Sequence, residues 1–91
     1  MQIEVFDWLK EQRKLGVEEY FLPHQIVKGM TKDGYFKDRS YYSLISRIAT
    51  ALARLEAYDY VEVKILDVER GGKRGYRVQY KYLLPLKRAI E

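Results

Sequence analysis

The sequence predicts an α+β domain in which three helices precede one long β-hairpin. Two observations carry that expectation. Apolar residues recur at helical spacing in three segments before residue 57, and they alternate with polar residues after residue 60. Turn-forming residues, above all glycine, lie between those segments. A chain of 91 residues has room for a single core, so residues 1–91 read as one domain.

Ile3, Val5, Phe6 and Leu9 set the first helix, from about Gln2 to Leu15, with Gly16 placed to end it after Arg13 and Lys14. Trp8 falls at the edge of that apolar stripe, as core rim or as a subunit contact. Glu18-Glu19-Tyr20-Phe21 is long enough only for a brief strand. A short second helix follows at about 23–30, with Pro23 in the first turn, where a missing N–H costs nothing. Asp33-Gly34 signals a turn, and Tyr35 and Phe36 then tuck under the domain.

Ser40 is positioned to cap a third helix over about 41–57. Leu44, Ile48, Ala51, Leu52 and Leu55 share its apolar face, and Glu56 is its first acid. From Tyr60 the period is two: Val61, Val63 and Ile65 make one strand, with Leu66 breaking the alternation as a bulge would. Tyr76, Val78, Tyr80, Tyr82 and Leu84 make the second, which Pro85 ends. Arg70-Gly71-Gly72-Lys73-Arg74-Gly75 reads as the loop between them, so the hairpin spans about 60–84. Tyr76, Tyr80 and Tyr82 then share one strand face and close the core.

Composition narrows the function classes. No apolar run approaches the roughly 20 residues of a membrane span, and the first residues alternate acids with apolar groups, unlike a signal peptide. A soluble, cytoplasmic protein is expected. The chain has no cysteine, which excludes disulfides and thiolate metal sites. His24 is the sole histidine, so no metal site is expected. Glu18 and Glu19 point to opposite faces of a strand and have no nucleophile beside them. The glycine-rich loop lacks the spacing of a phosphate-binding loop. No catalytic constellation emerges, so no enzyme, no cofactor and no small-molecule effector is expected. Asparagine is absent while 33% of residues are charged, a thermophile-like composition.

The formal charge of +4 is unevenly spread. Residues 1–38 are close to neutral. Residues 39–54 hold Arg39, Arg47 and Arg54 and no acid, and residues 70–88 hold Arg70, Lys73, Arg74, Arg77, Lys81, Lys87 and Arg88 and no acid. Cations segregated onto two elements suit a polyanionic partner. The outer face of the third helix carries Arg39, Tyr42, Ser43, Ser46, Ala49, Thr50 and Ala53, bordered by Arg47 and Arg54. A solvated face usually mixes glutamate with lysine, whereas this one is clear of carboxylates.

Arg54-Leu55-Glu56-Ala57-Tyr58-Asp59-Tyr60-Val61 resembles the exit from the recognition helix in winged helix-turn-helix regulators such as the MarR-like group. Those proteins leave that helix with Arg-Leu-Glu, two residues, a turn residue and an apolar pair opening the wing. Here Asp59 stands where they often carry glycine. The resemblance spans about residues 2–84 by element order and about eight residues by motif. It implies a winged helix that binds double-stranded DNA, as a small sequence-specific transcription regulator and as a homodimer.

On that reading, Arg39, Tyr42, Ser43, Ser46, Arg47, Thr50 and Arg54 face the major groove, and Arg70, Lys73, Arg74, Arg77 and Lys81 hold phosphates from the wing. Trp8, Leu83, Leu86 and Ile90 are candidates for the dimer contact. Two alternatives share the fold: an architectural DNA protein without base readout, and a protein-interaction module in which the Ser43/Ser46/Thr50 face is idle.

Overall fold

In the computed structural model, residues 1–83 are described. The elements are α1 (Gln2–Lys14), α2 (Pro23–Lys32), α3 (Tyr41–Ala57), β1 (Val61–Leu66), a 3-10 turn (Val68–Arg70) and β2 (Lys73–Val78). Three helices followed by an antiparallel two-stranded hairpin make an α+β domain.

The helix ends follow from local chemistry. Ser40 Oγ accepts the N–H of Ser43 at the start of α3, satisfying one donor that has no intrahelical partner. At the start of α2, Gln25 Oε1 accepts the Leu22 N–H at 2.8 Å, and Pro23 occupies a position where no donor is needed. All three helices stop in the same way. After α1 the N–H groups of Gly16 and Val17 return to the carbonyls of Arg13 and Gln12, and after α2 those of Gly34 and Tyr35 return to Thr31 and Met30. After α3, Asp59 and Tyr60 return to Glu56 and Leu55. Each is a Schellman motif, which needs a left-handed residue just past the helix. Glycine supplies it twice, and Asp59 adopts φ 64 to supply it once. Asp59 therefore takes the conformation for which glycine is the usual choice.

Val5, Leu9, Ile26, Met30, Leu44, Ile48, Leu52, Leu55 and Val78 are almost wholly buried and form one core between the helices and the inner face of the hairpin. Trp8 belongs to it at 4% exposure, donating Nε1–H to Asp33 Oδ2 at 2.8 Å and meeting Phe21 edge-on. Gly29 makes that seat: a Cβ built there would stand 2.3 Å from Cζ2 of the indole. Trp8 and Leu83, read from sequence as dimer contacts, are 4% and 2% exposed in the single chain. Leu86 and Ile90 lie outside the described residues.

The hairpin differs from the sequence expectation in three respects. Its register runs without interruption from Val61↔Val78 to Leu66↔Lys73, so there is no bulge at Leu66. The connecting loop is 67–72, with Asp67, Gly71 and Gly72 at positive φ; Lys73, Arg74 and Gly75 belong to β2. And β2 ends at Val78, well short of Leu84. The Gln79 N–H is drawn to the Tyr60 carbonyl at 3.0 Å, and residues 80–83 are helical. The Tyr82 ring lies 4.4 Å from that of Tyr60, and Phe6 packs on Tyr60 at 5.0 Å. This aromatic cluster turns the chain toward α1. Tyr76, Tyr80 and Tyr82 therefore do not share a strand face.

On the other edge of β2, Phe21 and Tyr76 exchange both backbone hydrogen bonds at 2.7 Å. The brief strand read at residues 18–21 is this single bridge. Among the described residues, no helix is long and apolar enough to cross a membrane.

Candidate functional site

Burying Leu44, Ile48, Ala51, Leu52 and Leu55 turns the opposite side of α3 outward. Tyr42, Ser43, Ser46, Arg47, Ala49, Thr50, Ala53 and Arg54 are all exposed there, Tyr42 at 83%. Arg39, just before the helix, is exposed too and lies 6.0 Å from the Phe36 ring. The face is thus assembled as its sequence indicated. Some of its polar groups are already engaged: the Ser43 N–H on Ser40, and the Thr50 hydroxyl on the Ser46 carbonyl at 3.1 Å. That second bond aligns Thr50 along the helix and leaves an acceptor lone pair outward. Tyr42 meets Tyr41 edge-on at 5.8 Å, a stack at the first turn of α3.

Ion pairing separates the cations into two groups. Among the described residues, Arg39, Arg47 and Arg54 have no carboxylate partner, and neither does Lys73. Arg47 and Arg54 lie two turns apart, about 10 Å along the same flank of α3. By contrast, Arg70 lies 3.8 Å from Asp67, Arg74 holds Glu56, Arg77 holds Glu62 at 2.9 Å, and Lys81 holds Asp59 at 2.9 Å. Lys64 on β1 also lacks a carboxylate partner among the described residues, so the unpaired cations divide between α3 (Arg47 and Arg54, with Arg39 just before it) and the hairpin (Lys64 and Lys73), whereas counting residues places most of the charge on the hairpin.

Two of these pairs are structural. Arg77 directs Nε and Nη2 to Glu62 Oε2, donates Nη1–H to the Glu18 carbonyl at 3.3 Å, and stacks 4.3 Å from the Tyr20 ring. It clasps residues 18–21 to the outer face of the hairpin, so it is not on the side of α3. Tyr20 donates its hydroxyl to Glu62 at 3.0 Å; burial, and then this bond to a carboxylate, push its pKa above the usual tyrosine value. Gly75 permits the approach, since a Cβ there would meet Leu66 at 2.4 Å and Tyr20 at 3.0 Å. Lys81 lies on the helical turn after β2, not on a strand. Its hydrogen bond to Asp59 lowers the Asp59 pKa and raises its own. Gln79 Nε2 adds a bond to Asp59 at 2.6 Å.

Arg74 points the other way. It shares the core-facing side of β2 with Tyr76 and Val78, and beyond the core it reaches across to Glu56 on α3. Between the start of α2, α3 and β2 lies an open groove of about 400 Å³, bordered by His24, Tyr41, Ile45, Lys73, Arg74 and Tyr76. Sequence reading missed His24, Tyr41 and Ile45 as site residues. Tyr41 and Ile45 flank the apolar face of α3, but only tertiary packing brings β2 opposite them. Among the described residues, no group of three or more histidine, aspartate or glutamate side chains could hold a metal.

No family model matches the chain, and no curated protein or solved structure shows significant similarity to it.

Proposed function

We propose that the chain is a winged helix that binds duplex DNA, with α3 as the recognition helix in the major groove and the hairpin as the wing. One observation carries this reading: the exposed face of α3 has no acid among residues 39–54 and presents Arg39, Arg47 and Arg54 without carboxylate partners. Unpaired guanidinium groups at the flanks of a face of small side chains suit close approach to a phosphate-lined groove about 12 Å wide. Lys73, free of ion pairs and lining the groove with Tyr41 and Ile45, adds a phosphate contact from the wing.

Arg47 and Arg54 serve as phosphate anchors or guanine readers, and Ser43, Ser46 and Thr50 lie where hydroxyls meet base edges or backbone. The sequence-specific regulator role rests on the resemblance of residues 54–61 to winged-helix regulators. Selection of bound duplexes from a random pool tests it: a regulator enriches one motif.

Binding itself is tested by duplex affinity as a function of salt. With Arg39, Arg47, Arg54 and Lys73 on phosphates, log K should fall against log salt with a slope of about −3 to −4. Arg47→Ala combined with Arg54→Ala should flatten that slope by about 2. Affinity that is absent, or insensitive to salt, rejects the proposal.

A further inference from the structure

The groove between the start of α2, α3 and β2 has an uneven chemistry. Tyr41, Ile45, Tyr76 and the start of α2 supply its mostly apolar lining, and Lys73 and Arg74 border it as well. A ligand that fits must be apolar on one side and anionic on the other. A sugar–phosphate strand has that form, with deoxyribose carbons for the rings and phosphate oxygens for the cations. The groove also opens beside the first turn of α3, where Tyr41 meets the exposed Tyr42. A duplex lying along the α3 face brings one of its backbones past this flank.

Glu56 does not line the groove, but it bears on Arg74, which does. It is the sole acid of α3, and its carboxylate holds the Arg74 guanidinium across the gap to the hairpin. Both side chains are substantially exposed, at 48% and 38%. An exposed pair of this kind is weak, so a phosphate can displace it.

We propose that this groove seats one sugar–phosphate strand of the bound duplex, with Lys73 and Arg74 on phosphate, and that Glu56 occupies Arg74 until the strand arrives. This rests on the reading of the chain as a duplex-binding protein. Glu56 is then an internal competitor for a phosphate site, and removing its charge strengthens binding.

The test uses the full chain and a labelled duplex of two helical turns. Glu56→Gln should tighten binding about two- to five-fold, the range that displacing an exposed pair allows. The gain should vanish in an Arg74→Ala background, which isolates the coupling between the two residues. Glu69→Gln, which removes the same charge from an exposed position in the hairpin connection, should change affinity less. Lys73→Ala should weaken binding and lower the salt slope by about 1. Replacing single phosphates with neutral methylphosphonates should locate the site: at one linkage wild type loses affinity and Lys73→Ala does not.

A gain in affinity cannot come from misfolding, so the Glu56 result stands apart from damage to the fold. If Arg47→Ala weakens binding while Glu56→Gln and Lys73→Ala leave it unchanged, the duplex is held by α3 and the groove proposal is wrong. A Glu56→Gln gain that persists without Arg74, or is matched by Glu69→Gln, reflects net charge and also overturns it. If wild type binds no duplex at any salt, the underlying reading fails first and the groove proposal falls with it.

Discussion

Replacing Gly29 with alanine sets two opposing effects against each other. Alanine in a helix interior is favoured over glycine by about 1 kcal/mol. At this position, however, the added Cβ would lie 2.3 Å from Cζ2 and 2.8 Å from Cη2 of Trp8. Ordinary contact requires more than 3.4 Å, so the ring or the helix must shift by about 1 Å. Trp8 is 4% exposed, meets Phe21 with ring centroids 5.2 Å apart, and bonds Asp33 at 2.8 Å. A shift of that size stretches the indole bond or opens the contact between α1 and α2. Overpacking of this kind costs about 1–3 kcal/mol, and a weakened part-buried hydrogen bond adds about 1 kcal/mol. The net expectation is a loss of about 1–3 kcal/mol, or at least several degrees in Tm for a domain of this size. Trp8 is the sole tryptophan, so urea unfolding followed by its emission reads both stability and the displaced ring. A Gly29→Ala protein as stable as wild type, with unchanged native emission, would refute this packing.

Three further outcomes follow from the core and the charge pairs. Leu52→Ala, at a wholly buried position on the inner face of α3, should cost about 2–5 kcal/mol in denaturant unfolding. Arg77→Ala should destabilise by about 1 kcal/mol, because it releases Glu62 and the Tyr20 ring, yet change duplex affinity less than two-fold, because it faces away from α3. Tyr20 should ionise at higher pH than an ordinary tyrosine, read as the difference in tyrosinate absorbance between wild type and Tyr20→Phe. Since its folded pKa is raised, its stabilisation is full below about pH 10 and is lost as pH rises through the folded value. A Tyr20 that ionises at the ordinary tyrosine value would mean the bond to Glu62 does not form.

The parts of the fold written in local pattern were legible in the sequence. The α3 stripe of Leu44, Ile48, Leu52 and Leu55, the Ser40 cap and the stops at Gly16 and Gly34 all rest on residues within a few positions of one another. The end of β2 was not legible. Tyr76, Val78, Tyr80 and Tyr82 keep strict alternation, and what breaks the strand is the distant aromatic cluster with Phe6 and Tyr60. Trp8 looked peripheral because its partners, the bare backbone of Gly29, Phe21 and Asp33, lie outside α1 and meet it only after folding. The state of the cations was hidden for a similar reason. Arg74 meets Glu56, Arg77 meets Glu62 and Lys81 meets Asp59 only after the chain folds back, so an acid-free stretch in sequence is not an unpaired one in space. The α3 arginines remain free because their neighbours on the helix face are serine, threonine and alanine.

The central claim is that α3 meets duplex DNA through its outward face, and amide chemical-shift mapping tests it most directly. On titrating the labelled chain with duplex, the expected shifts gather on residues 39–54, at and after the start of α3, and on Lys73 of β2. The outward side of α1 and the Tyr20–Arg77 clasp should stay unchanged. Shifts centred on α1 or on that clasp, with residues 42–54 unmoved, would contradict it.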